Sequence, residues 1–513
     1  MFWVALYDGE KVLKTIGSPM GLDNTKPARQ SRLQRPKFGL SPVALFLLLF
    51  LLGIGVPLLM ATVSVALINT LLIFISVIGL GLWLCHRTRV DLDDPKLKIL
   101  VTFWLLKVII TLFLLYVGWI PQLDPSSVNW GYDPQRYFQD AWNLVKNGWN
   151  PNVGSNYQGI IFFYGIIFYL FGHNPVIPAL INAFITLLGI LFLIRCIYSF
   201  VPKRTTKDWI IAGLLLVPEV LWYDVMTGRD TMMGVLIIFA ILSVGRYLVG
   251  IRGVGLTKSA IVAITALLAI LAVRTSMAVA VIVSIGLIVL LVRTKHKKGL
   301  LLKVLVFGAI FALIMLGGVI QKITGGNQSF DFVQAIVYAL IFESNVAAKT
   351  EWSDNSIGLL IAPNNVWQAL LYLPPRMLLY IAAPLPNVGV PVTELINGSW
   401  YAWQKLMTLS TSVMMLLGLP YALAGAAQAW HFRKNQPAPL VLHIAFWITY
   451  MAVAGGNIII HERYRIMYTL LLFACMWFGY TRCSRHEVSR WALPWFMLLA
   501  ASVFFYMVYK FIV

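Results

Sequence analysis

Short groups of ionisable residues interrupt an otherwise apolar chain, and their types suit phosphate chemistry. Asp133 sits in Trp130-Gly131-Tyr132-Asp133-Pro134, just past a hydrophobic span. The others are Gly228-Arg229-Asp230, Arg274, Pro374-Pro375-Arg376 and His461-Glu462-Arg463-Tyr464-Arg465. A positioned carboxylate can take a proton from a hydroxyl. Arginine suits phosphate because its planar fork donates two parallel hydrogen bonds. A carboxylate and several arginines at one membrane face would suit chemistry on a lipid-linked phosphate.

Each candidate also has a plainer reading. Asp133-Pro134 opens a helix that carries Tyr137, Ala141 and Leu144 on one face. Asp133 is a helix cap by position and a general base by chemistry, and one residue can be both. Tyr137 is a supporting candidate. Asp124 and Asp140 are weaker, Asp140 reading as a solvated helix face. Arg229 and Asp230 fill a very short loop between two spans; Arg229 pairs locally, snorkels or turns to an anionic headgroup. Glu219 and Asp224 are costly if they face lipid, and Pro218 should break the helix and open a small polar pocket. Between Lys258 and Arg293 the sole charge is Arg274, a snorkelling anchor or a group with a functional partner. Arg376, after two prolines, is a phosphate ligand or an interfacial anchor. Arg463 and Arg465 stand against the charge bias of their side, which favours function. His461 and Glu462 are supporting candidates and make no metal motif, because no second histidine or carboxylate sits at helical spacing.

These groups need elements to hold them. The chain has 513 residues, 59% hydrophobic and 12% charged, with mean hydropathy +0.80. Soluble domains are about a quarter charged, so an all-α polytopic integral membrane protein is expected. Spans of about 20 apolar residues fall near 41–62, 65–85, 98–120, 174–199, 209–224, 231–250, 258–273, 276–293, 300–319, 402–426, 438–459, 466–481 and 491–509. That predicts about 13 transmembrane helices. The net charge of +20 lies mostly in short loops, as the positive-inside rule expects, and argues against a nucleic-acid partner. His86 to Arg89, Lys203-Arg204, Arg293 to Lys298, Arg433-Lys434 and Arg482 to Arg490 mark the cytoplasmic side. All the candidate groups then face outward.

The organisation read from this pattern has five parts. Residues 1–40 form a cytoplasmic segment without a signal peptide, and 41–97 an N-terminal transmembrane hairpin. Residues 98–320 form a membrane core that includes the outward loop 121–173. Residues 321–401 form a second outward segment, and 402–513 the C-terminal transmembrane helices. Interfacial helices are expected at Tyr157 to Phe171, Phe332 to Phe342 and Val366 to Ala383. Cys85, Cys196, Cys475 and Cys483 imply no disulfide framework and no zinc site. No Walker loop, dinucleotide fingerprint or Gly-x-Ser-x-Gly elbow is present, so no organic cofactor is called for; a divalent cation remains open.

Gly131-Tyr132-Asp133, followed by Tyr137, Ala141 and Leu144, resembles the first extracytoplasmic loop of the GT-C superfamily of membrane glycosyltransferases. There an aspartate precedes a Tyr-x3-Ala-x2-Leu helix. Tyr157 to Asn182 is similar to the family's following interfacial helix and span. Leu221-Trp222 through Arg229-Asp230 and the closing His461 to Arg465 also fit. The resemblance covers roughly residues 98–250 and 440–482 by local pattern, and the rest by topology. Its members include protein O-mannosyltransferases and the aminoarabinose transferase of lipid A.

The resemblance implies a transferase using a polyprenyl-phosphate (or diphosphate) sugar and a glycan, lipid or protein acceptor. It would work at the outer face of the inner membrane, with Asp133 catalytic and Arg463 or Arg465 near the donor phosphate. By their own chemistry rather than by the resemblance, Arg229, Arg274 and Arg376 would complete the phosphate ligands. Trp130, Tyr132, Tyr157 and Trp400 would stack on sugar or belong to an aromatic belt. The chain departs from the family in its hairpin at 41–85. It also lacks a second acidic residue beside Asp133, unless Asp124 or Asp140 serves. An O-antigen-type polymerase or ligase and a lipid-linked oligosaccharide flippase are the competing readings.

Overall fold

A computed structural model describes residues 65–88, 94–123, 133–149, 158–200, 206–251, 254–292, 366–382, 392–456 and 462–512. The expected spans at 41–62 and 300–319, the helix at 332–342, and Asp124 and His461 lie outside those residues. Among the described residues there is no strand. Long runs of Leu, Ile, Val and Phe give helices because a helix satisfies its own backbone where no water is available.

In chain order these are α1 (Val65–Arg87), α2 (Asp94–Leu114), α3 (Asp133–Lys146), α4 (Gln158–Phe171), α5 (Val176–Phe200), α6 (Pro218–Asp224), α7 (Asp230–Val249), α8 (Leu256–Val273), α9 (Thr275–Leu291), α10 (Val366–Ala382), α11 (Val392–Ile396), α12 (Trp400–His431), α13 (Ala438–Gly456), α14 (Ile466–Arg482) and α15 (Arg485–Ile512). Among the described residues, seven helices are long and apolar enough to cross a membrane: α1, α2, α5, α7, α8, α12 and α13. The described residues are thus of the all-helical class, with the long apolar helices that suggest a membrane protein.

Burial sorts core helices from peripheral ones. The apolar window of α7 is 89% buried and that of α5 78%, whereas that of α1 is 22% buried. Helices apolar all round are the kind a bilayer or a core surrounds. Leu71 and Leu80 of α1, and Ile264 and Leu268 of α8, stay exposed. Glycine allows the tightest crossing: a Cβ on Gly479 of α14 would lie 1.9 Å from the Tyr421 carbonyl oxygen of α12.

The expected span at 209–224 is not one helix. It is a 3-10 stretch, Thr206–Leu216, followed by α6. Val217 is extended (φ −61°, ψ 121°) and Pro218 opens the next helix. Proline has no N–H to give and disfavours the helical conformation in the residue before it. The break was legible in Pro218; its consequence for the span was not.

α3 and α4 form a side unit. Tyr137, Phe138, Ala141 and Leu144 pack on Ile160, Ile161, Tyr164, Ile167 and Phe168. The predicted face of α3 is therefore the buried one. His173, just after α4, stacks on Trp142 at 4.6 Å and 15° and lies 4.4 Å from Phe138. This unit meets the bundle through a backbone contact: a Cβ on Gly159 would fall 2.3 Å from the Ala272 carbonyl oxygen near the end of α8.

Candidate functional site

Four elements bring their charged residues to one end of the bundle. Asp133 stands in the first turn of α3 and Asp230 opens α7. Arg274 links α8 to α9, and Arg463 lies in the 3-10 turn Glu462–Arg465 before α14. Arg463 Nη2 donates to Asp133 Oδ2 at 2.6 Å, and its Nε lies 4.0 Å from Asp230 Oδ2. Arg274 Nη1 lies 3.8 Å from the other Asp230 oxygen. Asp230 therefore faces two guanidinium groups, one at each oxygen.

Tyr464 sits among them. The Arg274 and Arg463 guanidinium carbons lie 4.7 and 4.8 Å from its ring centroid. Arg463 Nη2 also donates to its hydroxyl at 3.0 Å. Tyr137 is buried, and its phenol feels Arg229, Asp133, Arg463 and Asp230. Burial pushes that phenol well above the usual tyrosine range, with Arg229 opposing, so it enters as a neutral hydroxyl. Burial also opposes the charge on Arg463, but Tyr464, Asp230 and Asp133 outweigh it and keep the group cationic. Asp133 remains the most open member: its side chain is 29% exposed, against 7% for Asp230. Among the described residues, the side-chain hydrogen bond to Asp133 falls on Oδ2.

The turn at 225–229 that carries Arg229 is fixed from three sides. Tyr164 of α4 donates to the Gly228 carbonyl at 2.9 Å. Asn182 of α5 donates to the Met226 carbonyl at 2.8 Å and the Asp224 carbonyl at 3.2 Å. Thr227 donates to the Pro134 carbonyl in α3. The last bond ties the turn to the helix that presents Asp133. Buried backbone acceptors need partners, and here those partners position the site.

Two buried ion pairs lie below it. Lys107 of α2 donates to Asp224, whose other oxygen accepts from Thr186 at 2.7 Å; both charged side chains are fully buried. Arg465 meets both Glu219 oxygens at 2.9 and 2.7 Å. It also donates to Ser412 at 2.6 Å, the Thr408 carbonyl at 2.5 Å and the Ile381 carbonyl at 3.4 Å. Glu219 and Asp224, costly if they faced lipid, are thus matched inside the bundle.

The arginines expected at a donor phosphate divide accordingly. Arg463 and Arg274 gather around the two aspartates, while Arg229 acts on the buried Tyr137 beside them. Arg465 does not join them: it is fully buried, with its donors turned to Glu219 and α12. Arg376 is 1% exposed on α10, beside the Met377 carbonyl that accepts from Tyr450 of α13. It forms no ion pair with Asp133 or Asp230. Asp230, expected in support, faces the same arginine as Asp133, through Arg463 Nε at 4.0 Å. Asp140 pairs at 3.4 Å with Arg136, one turn away on a half-exposed face. Glu462 opens the 3-10 turn.

Lys107 and Tyr464 are the contributors that sequence reasoning passes over. Lys107 is the sole charge between Lys98 and Asp124, and a cation at membrane depth needs a partner; that was the available signal. Tyr464 carries no signal beyond lying between two arginines. The cysteines are all free. Among the described residues, no three His, Cys, Asp or Glu side chains converge as a metal site. Comparison with family models, curated proteins and solved structures finds no match.

Proposed function

We propose that this chain is a membrane glycosyltransferase moving a sugar from a polyprenyl-phosphate (or diphosphate) carrier to an acceptor hydroxyl. The observation that carries the reading is the meeting of Asp133 with Arg463, Asp230 and Arg274 at one end of an apolar bundle. The acceptor oxygen attacks the anomeric carbon, the bond from that carbon to the phosphate oxygen breaks, and Asp133 takes the acceptor's proton. A positioned base contributes on the order of 10² to 10⁴ in rate. Arg463, Arg274 and Arg229 balance the charge that develops on the departing phosphate. Three guanidinium groups against two carboxylates leave a net positive site.

The chain's charge pattern supports an outward orientation of this end. α7 starts at Asp230 and carries Arg246 in its last turn, and α14 starts after Arg465 and ends on Arg482. Basic residues at the far ends mark the cytoplasm, which leaves the cluster facing the periplasm or exterior of an inner (plasma) membrane. In this reading about 13 spans cross the bilayer, α9, α14 and α15 among them, and α4 and α10 lie at its interface.

Purified full-length protein in nanodiscs, given a polyprenyl-phosphate-linked radiolabelled sugar and an envelope extract as acceptor, should release polyprenyl phosphate. Asp133→Asn should suppress that release. Absence of turnover with both phosphate and diphosphate carriers would overturn the reading.

A further inference from the structure

Two like charges near each other repel unless something between them offsets the repulsion. Arg274 and Arg463 come from elements far apart in sequence, yet both guanidinium groups lie within 5 Å of the centre of one ring, at 4.7 and 4.8 Å. The face of an aromatic ring attracts cations. The same residue's hydroxyl accepts from Arg463 Nη2 at 3.0 Å. Tyr464 therefore holds one arginine by its hydroxyl and ring and the other by its ring alone. Asp230 adds a weaker tie to each, at 3.8 and 4.0 Å. Both arginine side chains are 12% exposed, so the pair is sheltered without being closed off from a ligand.

We propose that Tyr464 is a positioning residue that holds Arg274 and Arg463 together as a two-guanidinium seat for the phosphate of a lipid carrier. The inference rests on the function proposed above and adds to it the element that pre-assembles the cations. Without the ring the two arginines separate, and bidentate capture of phosphate by both is lost.

The test is binding of a polyprenyl monophosphate by the full-length protein in nanodiscs, with the uncharged polyprenol as control and inorganic phosphate as competitor. Tyr464→Met keeps bulk and removes the ring. It should raise Kd about tenfold, equivalent to about 1.4 kcal/mol. Tyr464→Phe keeps the ring and should stay within about threefold of the unaltered protein. Because Tyr464 acts by holding the two arginines together, the Met substitution should cost less in an Arg274→Ala background, where there is no pair to hold, under about threefold. A purely structural tyrosine would cost the same in both backgrounds.

Unchanged binding by Tyr464→Met overturns the proposal, and so does an equal loss in both backgrounds. If the Met variant does not fold, Tyr464→Phe decides: a loss as large as that of Arg463→Ala overturns it. Inorganic phosphate binding as tightly as the lipid overturns the lipid source. Failure of the unaltered protein to bind the lipid phosphate removes the proposed function itself, and this seat with it. Binding that survives loss of the ring removes the Tyr464 role alone.

Discussion

Asp133 and Arg463 stand 330 positions apart in the chain and 2.6 Å apart in space. The pair joins the N-terminus of α3 to the turn before α14. It is partly open, with side-chain exposures of 29% and 12%. Asp133, the more open partner, keeps contact with solvent, which screens the pair and limits what it adds to stability. Asp133→Asn keeps the shape and still accepts a hydrogen bond from Arg463. It should therefore leave the unfolding midpoint nearly unchanged while transfer falls about 10² to 10⁴-fold. Release of polyprenyl phosphate and a thermal melt on the same sample check both halves. Full activity in Asp133→Asn, with activity lost in Arg229→Ala, Arg274→Ala and Arg463→Ala, would instead favour an O-antigen-type polymerase or ligase.

Arg463 and Arg465 differ by two positions and face different surroundings. Arg463 serves an open cluster, and Arg465 neutralises buried Glu219. Arg463→Ala should fold and fail to transfer. Arg465→Ala leaves a carboxylate uncompensated in the core, which costs about 3–5 kcal/mol. Size-exclusion profiles and thermal melts in detergent should separate the two: a normal profile for Arg463→Ala, aggregation or a lowered midpoint for Arg465→Ala. Equal melting behaviour would show that the two arginines do not divide the roles this way.

Sequence alone marked Asp133, Arg229, Arg274 and Arg463 because charge in an apolar chain is expensive and needs a reason. It could not separate them from Arg465 and Arg376. Both classes look alike as letters, and the difference lies in which partner the fold delivers from hundreds of residues away. Helix existence was legible from apolar run length, and α7, α8 and α12 start within two residues of the expected spans. The 209–224 segment was not, because a run of apolar residues reads the same whether it is an α-helix or a 3-10 stretch broken at Val217. Asp230 was visible as a charge, but its sharing of Arg463 with Asp133 depends on the docking of α3 on the 225–229 turn, which no local pattern encodes.

His173 gives the α3–α4 unit a pH dependence. Its imidazole is held down to about 4 from an ordinary 6.5, first by burial and then by Lys146. The docked unit therefore prefers the neutral ring. When α3 undocks, the ring regains its ordinary affinity for a proton. The stabilisation is fully present above pH 6.5 and is lost as pH falls through the window toward 4. Proteolysis within the α3–α4 unit should accelerate over that range, and His173→Phe, which keeps an aromatic ring beside Trp142, should flatten the response. An imidazole resonance that titrates at its ordinary value in the intact protein would remove this explanation.

The Lys107–Asp224 pair separates the contribution of charge from that of packing. Both side chains are fully buried, and Thr186 supplies the second bond to the carboxylate. Lys107→Met alone leaves an unpaired carboxylate, and Asp224→Leu alone an unpaired ammonium. Each should cost about 3–5 kcal/mol. Removing both charges together leaves no uncompensated ion, and replacement of a buried pair by apolar residues is often close to neutral. The double variant should therefore melt within a few degrees of the unaltered protein while each single variant falls well below it. Because the Asp224 carbonyl is held by Asn182 at the start of the turn that carries Arg229, the double variant should also keep its transfer activity. A double variant that folds but loses activity would instead mean that the buried charges set the position of Arg229, and the pair would count as part of the site.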